Sequence, residues 1–448
     1  MMREEFTESR AGDAYSISAA ALAEAGFAGM PEQLISNRHL IYSSPATLAF
    51  NSPGAQGFGV KRAGLSIPGS VMLLVAPACC GRNTTILTEL GGYGERFFYL
   101  MMDDTDIVTG RHMNRIPQAV KEVYDHLSGA PSVIMICITC VDALLGTDME
   151  RICRKAEGLV GIPVLPCYMY ALTREGRKPP MVHVRQTLYS LLQPLPKKST
   201  SVNLLGHFAP LIDDCELYEI LRNMGVRKIR EISRCGSYEE YLQMAEANFN
   251  LVLDPEARFA AEDLRKRLEI PSIELRRLYQ IDKIQHQYRL FGAALGETIQ
   301  DETWYEETKK AVESFRNTWG PLRFAVGEGC NANAFELSAA LLSYGFAVTE
   351  IFADPSEEDF IYIRRIAAVS PDTRIYSNLE PTMLYYDIGN EAADIVIGKD
   401  AGYYHPDSVR VEWSDDTAPF GYAGVRLFFR TCEQALRESG WHREEVKE

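Results

Sequence analysis

No apolar run in this 448-residue chain is long enough to cross a bilayer; the longest, near 71–80 and 132–141, reach about half the span required. The start, Met1-Met2-Arg3-Glu4-Glu5, lacks the apolar core of a signal peptide. No basic cluster of the kind that tracks phosphates is present, and the net charge is −15, so neither nucleic acid nor a membrane is an expected partner. No G-x-x-x-x-G-K-[ST] occurs, so no bound nucleotide is expected, and any nucleotide hydrolysis must come from a partner. No second C-x-x-C completes a zinc set. The expected location is cytoplasmic, where the ten cysteines read as thiols or metal ligands rather than a disulfide framework.

What is present is an ordinary globular composition, 46% hydrophobic and 24% charged, in a chain long enough for two or three domains. Residues 1–65 lack periodicity and read as an irregular leader. Residues 66–175 alternate strand (70–77, 96–102, 132–138, 162–167) and helix (116–127, 147–158). Residues 200–300 repeat the theme, with strands at 201–206, 227–232, 249–253 and 271–275. Residues 322–432 do so again, with strands at 323–327, 346–352, 373–377, 394–397 and 409–412. The segments 176–200 and 300–320 read as linkers or crossings. The predicted fold class is α/β: three Rossmann-like domains, each a mainly parallel sheet covered by helices, with sites in the clefts between them.

Two of these strands deliver cysteine at their carboxyl ends, where α/β folds build sites. One ends on Cys79-Cys80 and the other on Cys140, with Cys137 completing a C-x-x-C. Thiolates so placed point to a shared soft-metal centre of iron–sulfur type, and Cys79, Cys80, Cys137 and Cys140 are the candidate cofactor-binding residues. Packing is the alternative for any buried thiol. It is the reading for Cys153 and Cys432 in helices, while Cys215 marks a helix start and Cys167, Cys235 and Cys330 fall near strand ends. Gly327-Glu328-Gly329 follows a strand but lacks the third glycine of a dinucleotide fingerprint. Arg276, Arg277, Lys283, His286 and Arg289 form a local basic stretch that reads as a solvated helix face, or as a mark of an anionic ligand or partner helix.

With the cysteines placed, the chain resembles the nitrogenase component 1 superfamily over roughly residues 50–430. Ala76-Pro77-Ala78-Cys79-Cys80 is similar to the family's G-P-x-x-C turn, and Asp106-Ile107-Val108-Thr109-Gly110 to its D-I-V-x-G. The run from Cys140 to Ile152 is similar to its C-x-x-x-[IL]-[IL]-G-x-D-[IM] segment. Asn203 to Gly206, Cys235 to Glu240 and Ala418 to Gly424 are similar to three further family motifs. The resemblance puts Cys80 and Cys140 on metal-ligand positions. No cysteine precedes Cys79, where bridging-cluster subunits carry one near Ser52, so a [4Fe-4S] cluster shared at a subunit interface is implied. Asp254 stands where dinitrogen-reducing subunits place the cofactor cysteine, and the cofactor histidine is absent near Glu412-Trp413.

The resemblance implies an oxidoreductase subunit. Its electrons would come from an ATP-hydrolysing, iron-protein-like reductase and pass through the cluster to a small-molecule substrate. Asp254, Arg277 and Glu412 are the candidate catalytic residues, with Arg276 beside them and His207 as a candidate proton donor. A homodimer, a heterodimer or an α2β2 assembly with a related subunit is implied. The alternatives are a non-catalytic scaffold for metallocluster assembly and a cluster-free binding protein.

Overall fold

The computed structural model describes residues 13–35, 63–78, 81, 92–139, 145–168, 178–387, 393–414 and 418–441. The amino-terminal stretch is not wholly irregular. Ile17–Ser18 forms a strand, β1, and Ala19–Ala25 a helix that starts where Ser18 Oγ accepts the Ala21 amide at 3.2 Å.

Two four-stranded parallel sheets follow. The first contains β2 (Val71–Pro77), β3 (Phe97–Met102), β4 (Ile134–Ile138) and β5 (Val164–Tyr168), in the order β3-β2-β4-β5. The second contains β6 (Lys198–Leu205), β7 (Lys228–Glu231), β8 (Ala247–Val252) and β9 (Ser272–Glu274), in the order β7-β6-β8-β9. β2 is apolar without alternation because both of its faces are covered. Val71, Leu73 and Val75 pack with Ile116, Val120, Ile152 and Ala156. Met72, Leu74 and Ala76 pack in a second cluster with Val184, Leu188, Leu205 and Leu264. That second cluster joins the two sheets in one core, so they form one compact unit, Pro53–Pro210 with Leu221–Arg276.

The segment 176–200, expected to be a linker or a crossing, carries the helix Pro180–Tyr189, whose Val184 and Leu188 seal that shared core. The helix Met149–Val160 shows why its neighbours were legible. Its buried Met149, Ile152, Cys153, Ala156 and Val160 follow the helical period, Asp148 caps its start, and Gly161 at φ 70° ends it.

The second unit comprises Met1–Ser52, Leu211–Ile220 and Arg277–Glu448. Its sheet contains β10 (Arg323–Gly327), β11 (Ala347–Phe352), β12 (Arg374–Tyr376), β13 (Ile395–Ile397) and β14 (Val409–Val411), all parallel, with β1 antiparallel on the edge beside β12. The order is β1-β12-β11-β10-β13-β14. The segment 300–320 is likewise a helical crossing rather than an open linker. It is the helix Glu302–Trp319, which packs on the helix Gly421–Glu438 through a sparse stripe of Thr308, Val312 and Phe315. Polar residues all around that stripe hide the period in the sequence.

Candidate functional site

In an open parallel sheet the crevice for a ligand opens where neighbouring strands send their connections in opposite directions, at the carboxyl ends. The strand orders place these switch points between β2 and β4, between β6 and β8, and between β10 and β13. Each falls beside a residue singled out above.

At the first switch point β2 and β4 are hydrogen-bonded neighbours in parallel, with Leu74 opposite Cys137 and Val75 opposite Ile138. The two adjacent strands therefore run in the same direction toward the segments that contain Cys79-Cys80 and Cys140. Cys79, Cys80 and Cys140 themselves lie outside the described residues. Cys137 is described. It lies in β4 with no exposure, opposite Cys167 of β5, in the apolar cluster with Met72 and Met135. Thr139, one residue before Cys140, is 3% exposed, and among the described residues its Oγ1 has no hydrogen-bond partner. A buried hydroxyl without a partner is costly, and here it sits where the cysteine segment begins. Asp106 of the D-I-V-x-G motif is structural. It completes a capping box with Asp103 and pairs with Arg111 at 2.7 Å and with Arg115.

At the second switch point His207 follows β6 and Asp254 follows β8. Asp254 caps the short turn Pro255–Ala257, accepting the Glu256 amide at 2.9 Å, ahead of the helix Arg258–Leu268. Gly206 before it has φ 130°, and a Cβ there would lie 2.7 Å from Asp254 Cβ. Arg185 fills the rest. Its guanidinium donates to the Gly206 carbonyl at 2.9 Å and to Glu256 at 2.5 Å, approaches Asp254 at 3.6 Å, and lies over the Phe208 ring. Arg276 pairs with Glu274 at 3.2 Å, beside the Arg258–Glu274 pair.

At the third, the Gly327-Glu328-Gly329 turn offers its amides as a dinucleotide fold would, but Asp400 takes them. Its carboxylate accepts the Glu328 amide at 2.8 Å and the Gly329 amide at 3.3 Å. Gly327 has to be glycine, since a Cβ would lie 2.1 Å from Asp400 Oδ1. The wholly buried Asn378 ties the group together, donating to Asp400 at 2.8 Å and to Glu328 at 3.0 Å. Burial, then the charges of Asp354 and Asp400, push the Glu328 carboxyl up to about 8. Cys330 beside it is pushed up to about 12 by burial and by Asp400, against the nearby Arg277 charge. Glu412 is 64% exposed and pairs with Lys399 at 3.3 Å, an exposed pair worth little. Trp413 after it takes φ 47°, unusual for a side chain of its size, and donates from Nε1 to Tyr279 Oη at 2.6 Å. Arg277 and Glu412 thus share one unit, while Asp254 belongs to the other.

Glu328 makes stability depend on pH. Its folded carboxyl holds a proton that the unfolded chain releases, so its favourable contribution is complete in acid and falls as pH rises toward about 8. Glu336, pushed up to about 7 by burial, acts with the same sign at lower pH. Between pH 7 and 8 the unit holding Glu328 is expected to lose about 1 kcal/mol. Glu328→Gln should flatten that slope in urea titrations at pH 7, 8 and 9; an equal slope in the variant would refute the assignment.

Arg185, Asp400 and Asn378 were not singled out in the sequence. Asp400 had a signal, since it stands three residues past β13 and two past Gly398, whose φ is 98°. Arg185 had none, because apart from the Met181 carbonyl one turn back its partners at the switch point are 21 to 71 residues away. Among the thiols, Cys153, Cys167, Cys215 and Cys432 are buried, and Cys432 lies in the carboxyl-terminal helix as expected.

A family described as nitrogenase component 1 type oxidoreductase matches residues 55–436. The chain belongs to that family. It is 22% identical over 424 residues to the nitrogenase iron-molybdenum cofactor biosynthesis protein NifE of Sinorhizobium fredii (strain NBRC 101917 / NGR234), covering 89% of this chain and 84% of that one. It is 23% identical to the protein of the same description from Klebsiella pneumoniae, covering 76% and 79%. Among solved structures, nitrogenase Cp1 at pH 6.5 superposes with a TM-score of 0.65 at 17% identity, over 88% of this chain and 90% of that one. That likeness establishes the fold, Rossmann-like domains with parallel sheets flanked by helices. No helix among the described residues is long and apolar enough to cross a membrane.

Nitrogenase component 1 proteins hold iron–sulfur clusters, and the first switch point of this family member suits one. Adjacent parallel strands lead into both cysteine segments, and the buried Thr139 hydroxyl has no hydrogen-bond partner among the described residues. At the other two switch points Arg185 and Asp400 fill the crevices with ion pairs and hydrogen bonds internal to the chain.

Proposed function

We propose that this chain holds an iron–sulfur centre through Cys80 and Cys140 and serves as a scaffold subunit on which a metallocluster is held for transfer. The pairing of β2 with β4 carries this reading, because adjacent parallel strands lead into both cysteine segments. A bound iron–sulfur group supplies one-electron exchange and sulfide bridges. The protein would supply the thiolates of Cys80 and Cys140, with the buried Thr139 hydroxyl next to Cys140 and apolar strands leading into both segments. Two thiolates leave a four-iron group short of ligands. A second subunit, identical or related, supplies the others across an interface, in a dimer or an α2β2 assembly.

Two observations favour a scaffold over a catalyst. The relatives are described as cofactor biosynthesis proteins. Of the candidate catalytic groups, Asp254 is engaged as a turn cap beside Arg185 and Glu412 is a surface carboxylate paired with Lys399.

The family's description as an oxidoreductase supports a second reading. In it, an ATP-dependent iron-protein-like reductase delivers electrons, and a small-molecule substrate receives them near Arg277.

Iron, acid-labile sulfide and EPR measured on anaerobically purified protein test the shared premise; no iron after anaerobic reconstitution sinks both readings. Incubating the loaded protein with an apo-acceptor then separates them. Iron passing to the acceptor supports the scaffold. Retained iron that an ATP-dependent reductase reduces supports the oxidoreductase.

A further inference from the structure

One cavity lies away from all three switch points. It is about 440 Å³ in volume and opens between the start of the helix Ile281–Leu295, the helix Glu302–Trp319 and the end of the helix Ala334–Ser343. All of its lining belongs to the segment Arg277–Glu448. Lys283, from the basic stretch noted in the sequence, lines it together with Lys309 and Arg316. In a chain of net charge −15, three cations are gathered here, and among the described residues none of the three is held in an ion pair.

The surroundings constrain Arg316 and the backbone that carries Lys283, and the two lining carboxylates leave the cations in excess. The Arg316 guanidinium lies against Gly345, where a Cβ would stand 2.7 Å from its carbon, so the bare backbone fixes its direction. Tyr344 Oη accepts the Ile281 amide at 2.9 Å and donates to the Tyr279 carbonyl, locking the start of the helix that carries Lys283. Of the two carboxylates in the lining, Asp282 accepts the Tyr305 hydroxyl at 2.7 Å, and Glu313 is the other. The carbonyl end of Ala334–Ser343 opposes the amide end of Ile281–Leu295, so side chains rather than helix dipoles set the charge preference.

We infer that this cavity binds a small, multiply charged oxyanion, a phosphate ester or a polycarboxylate, held by Lys283, Lys309 and Arg316. The volume suits a ligand of diphosphate or tricarboxylate size upward. Charge-assisted bonds from three separate helical positions favour an anion with several oxygens over a monovalent one.

Isothermal titration of the full chain with inorganic pyrophosphate and with citrate, at low and moderate salt, tests this and distinguishes the two chemistries. At least one probe should bind, more weakly at higher salt. Lys283→Ala and Lys309→Ala should each weaken it about tenfold. Asp282→Asn, which removes a lining charge of the wrong sign, should tighten it about threefold. Lys309 is exposed and Lys283 half-buried at the cavity edge, so both variants are expected to fold, with circular dichroism as the check. Absence of heat with both probes overturns the inference, and so does unchanged affinity in both lysine variants.

Discussion

Cys80→Ala or Cys140→Ala is expected to remove nearly all iron from anaerobically prepared protein, from about four irons per cluster in the wild type to a small residue. Each thiolate is one of the few covalent attachments a cluster has, and a shared cluster with one ligand missing opens to water and is lost. The contrast with Cys137 sharpens the test. That thiol is wholly buried in β4 among Met72, Met135 and Cys167, so Cys137→Ala should keep its iron while losing some stability through the cavity it leaves. Cys79→Ala, measured alongside, reports whether the vicinal thiol contributes. Full iron in both the Cys80 and Cys140 variants would end the cluster assignment. Loss of iron in the Cys137 variant would mean that β4 rearranges to present its thiol.

The second large effect concerns the docking of the carboxyl-terminal helix. Glu216, 2% exposed, accepts the Tyr422 amide at 2.6 Å, the Ala423 amide at 3.0 Å and the Tyr288 hydroxyl at 2.7 Å. Its carboxylate therefore caps the start of Gly421–Glu438, where helix amides lack partners and the dipole favours negative charge. Burial raises its pKa, and these hydrogen bonds oppose the rise.

Glu216→Ala strands three buried donors and should cost about 3–5 kcal/mol in denaturant unfolding. Glu216→Gln keeps the shape and one oxygen acceptor and should cost less than half as much. Gly421 is bound to the same arrangement. Its φ is 59°, and a Cβ would lie 1.9 Å from Glu216 Oε1. Gly421→Ala is therefore expected to cost at least about 3 kcal/mol, since it combines left-handed backbone strain with displacement of the cap. Unfolding midpoints within experimental error of the wild type for Glu216→Ala and Gly421→Ala would refute this account.

The same carboxylate shows what the family motifs encode. The closure from Ala418 to Gly424 reads in the sequence as a signature, and in the structure it is a helix start fitted to Glu216, some two hundred residues earlier. Cys235 to Glu240 is likewise a capping device. Ser237 accepts the Glu240 amide at 3.1 Å, and Glu240 returns to accept the Gly236 amide at 2.9 Å. Asn203 spans β6 and β8, donating to Asn250 and to the Met244 carbonyl.

The sequence by itself determined the parallel strands and several helices, since apolar period and glycine stops are local signals; β10 spans 323–327 as expected and the helix Met149–Val160 falls on the expected 147–158 within two residues. It also determined the family, whose motifs are short and keep their order. Local patterning could not show that the first two sheets share one core, because that depends on Val184 and Leu188 reaching Met72 and Leu205 from a helix with a faint stripe. Nor could it show that Arg185 and Asp400 occupy two of the three crevices, or that Lys309 and Arg316 join Lys283. Those pairings link residues tens of positions apart. Their energy depends on distance and burial, and only the tertiary structure sets these.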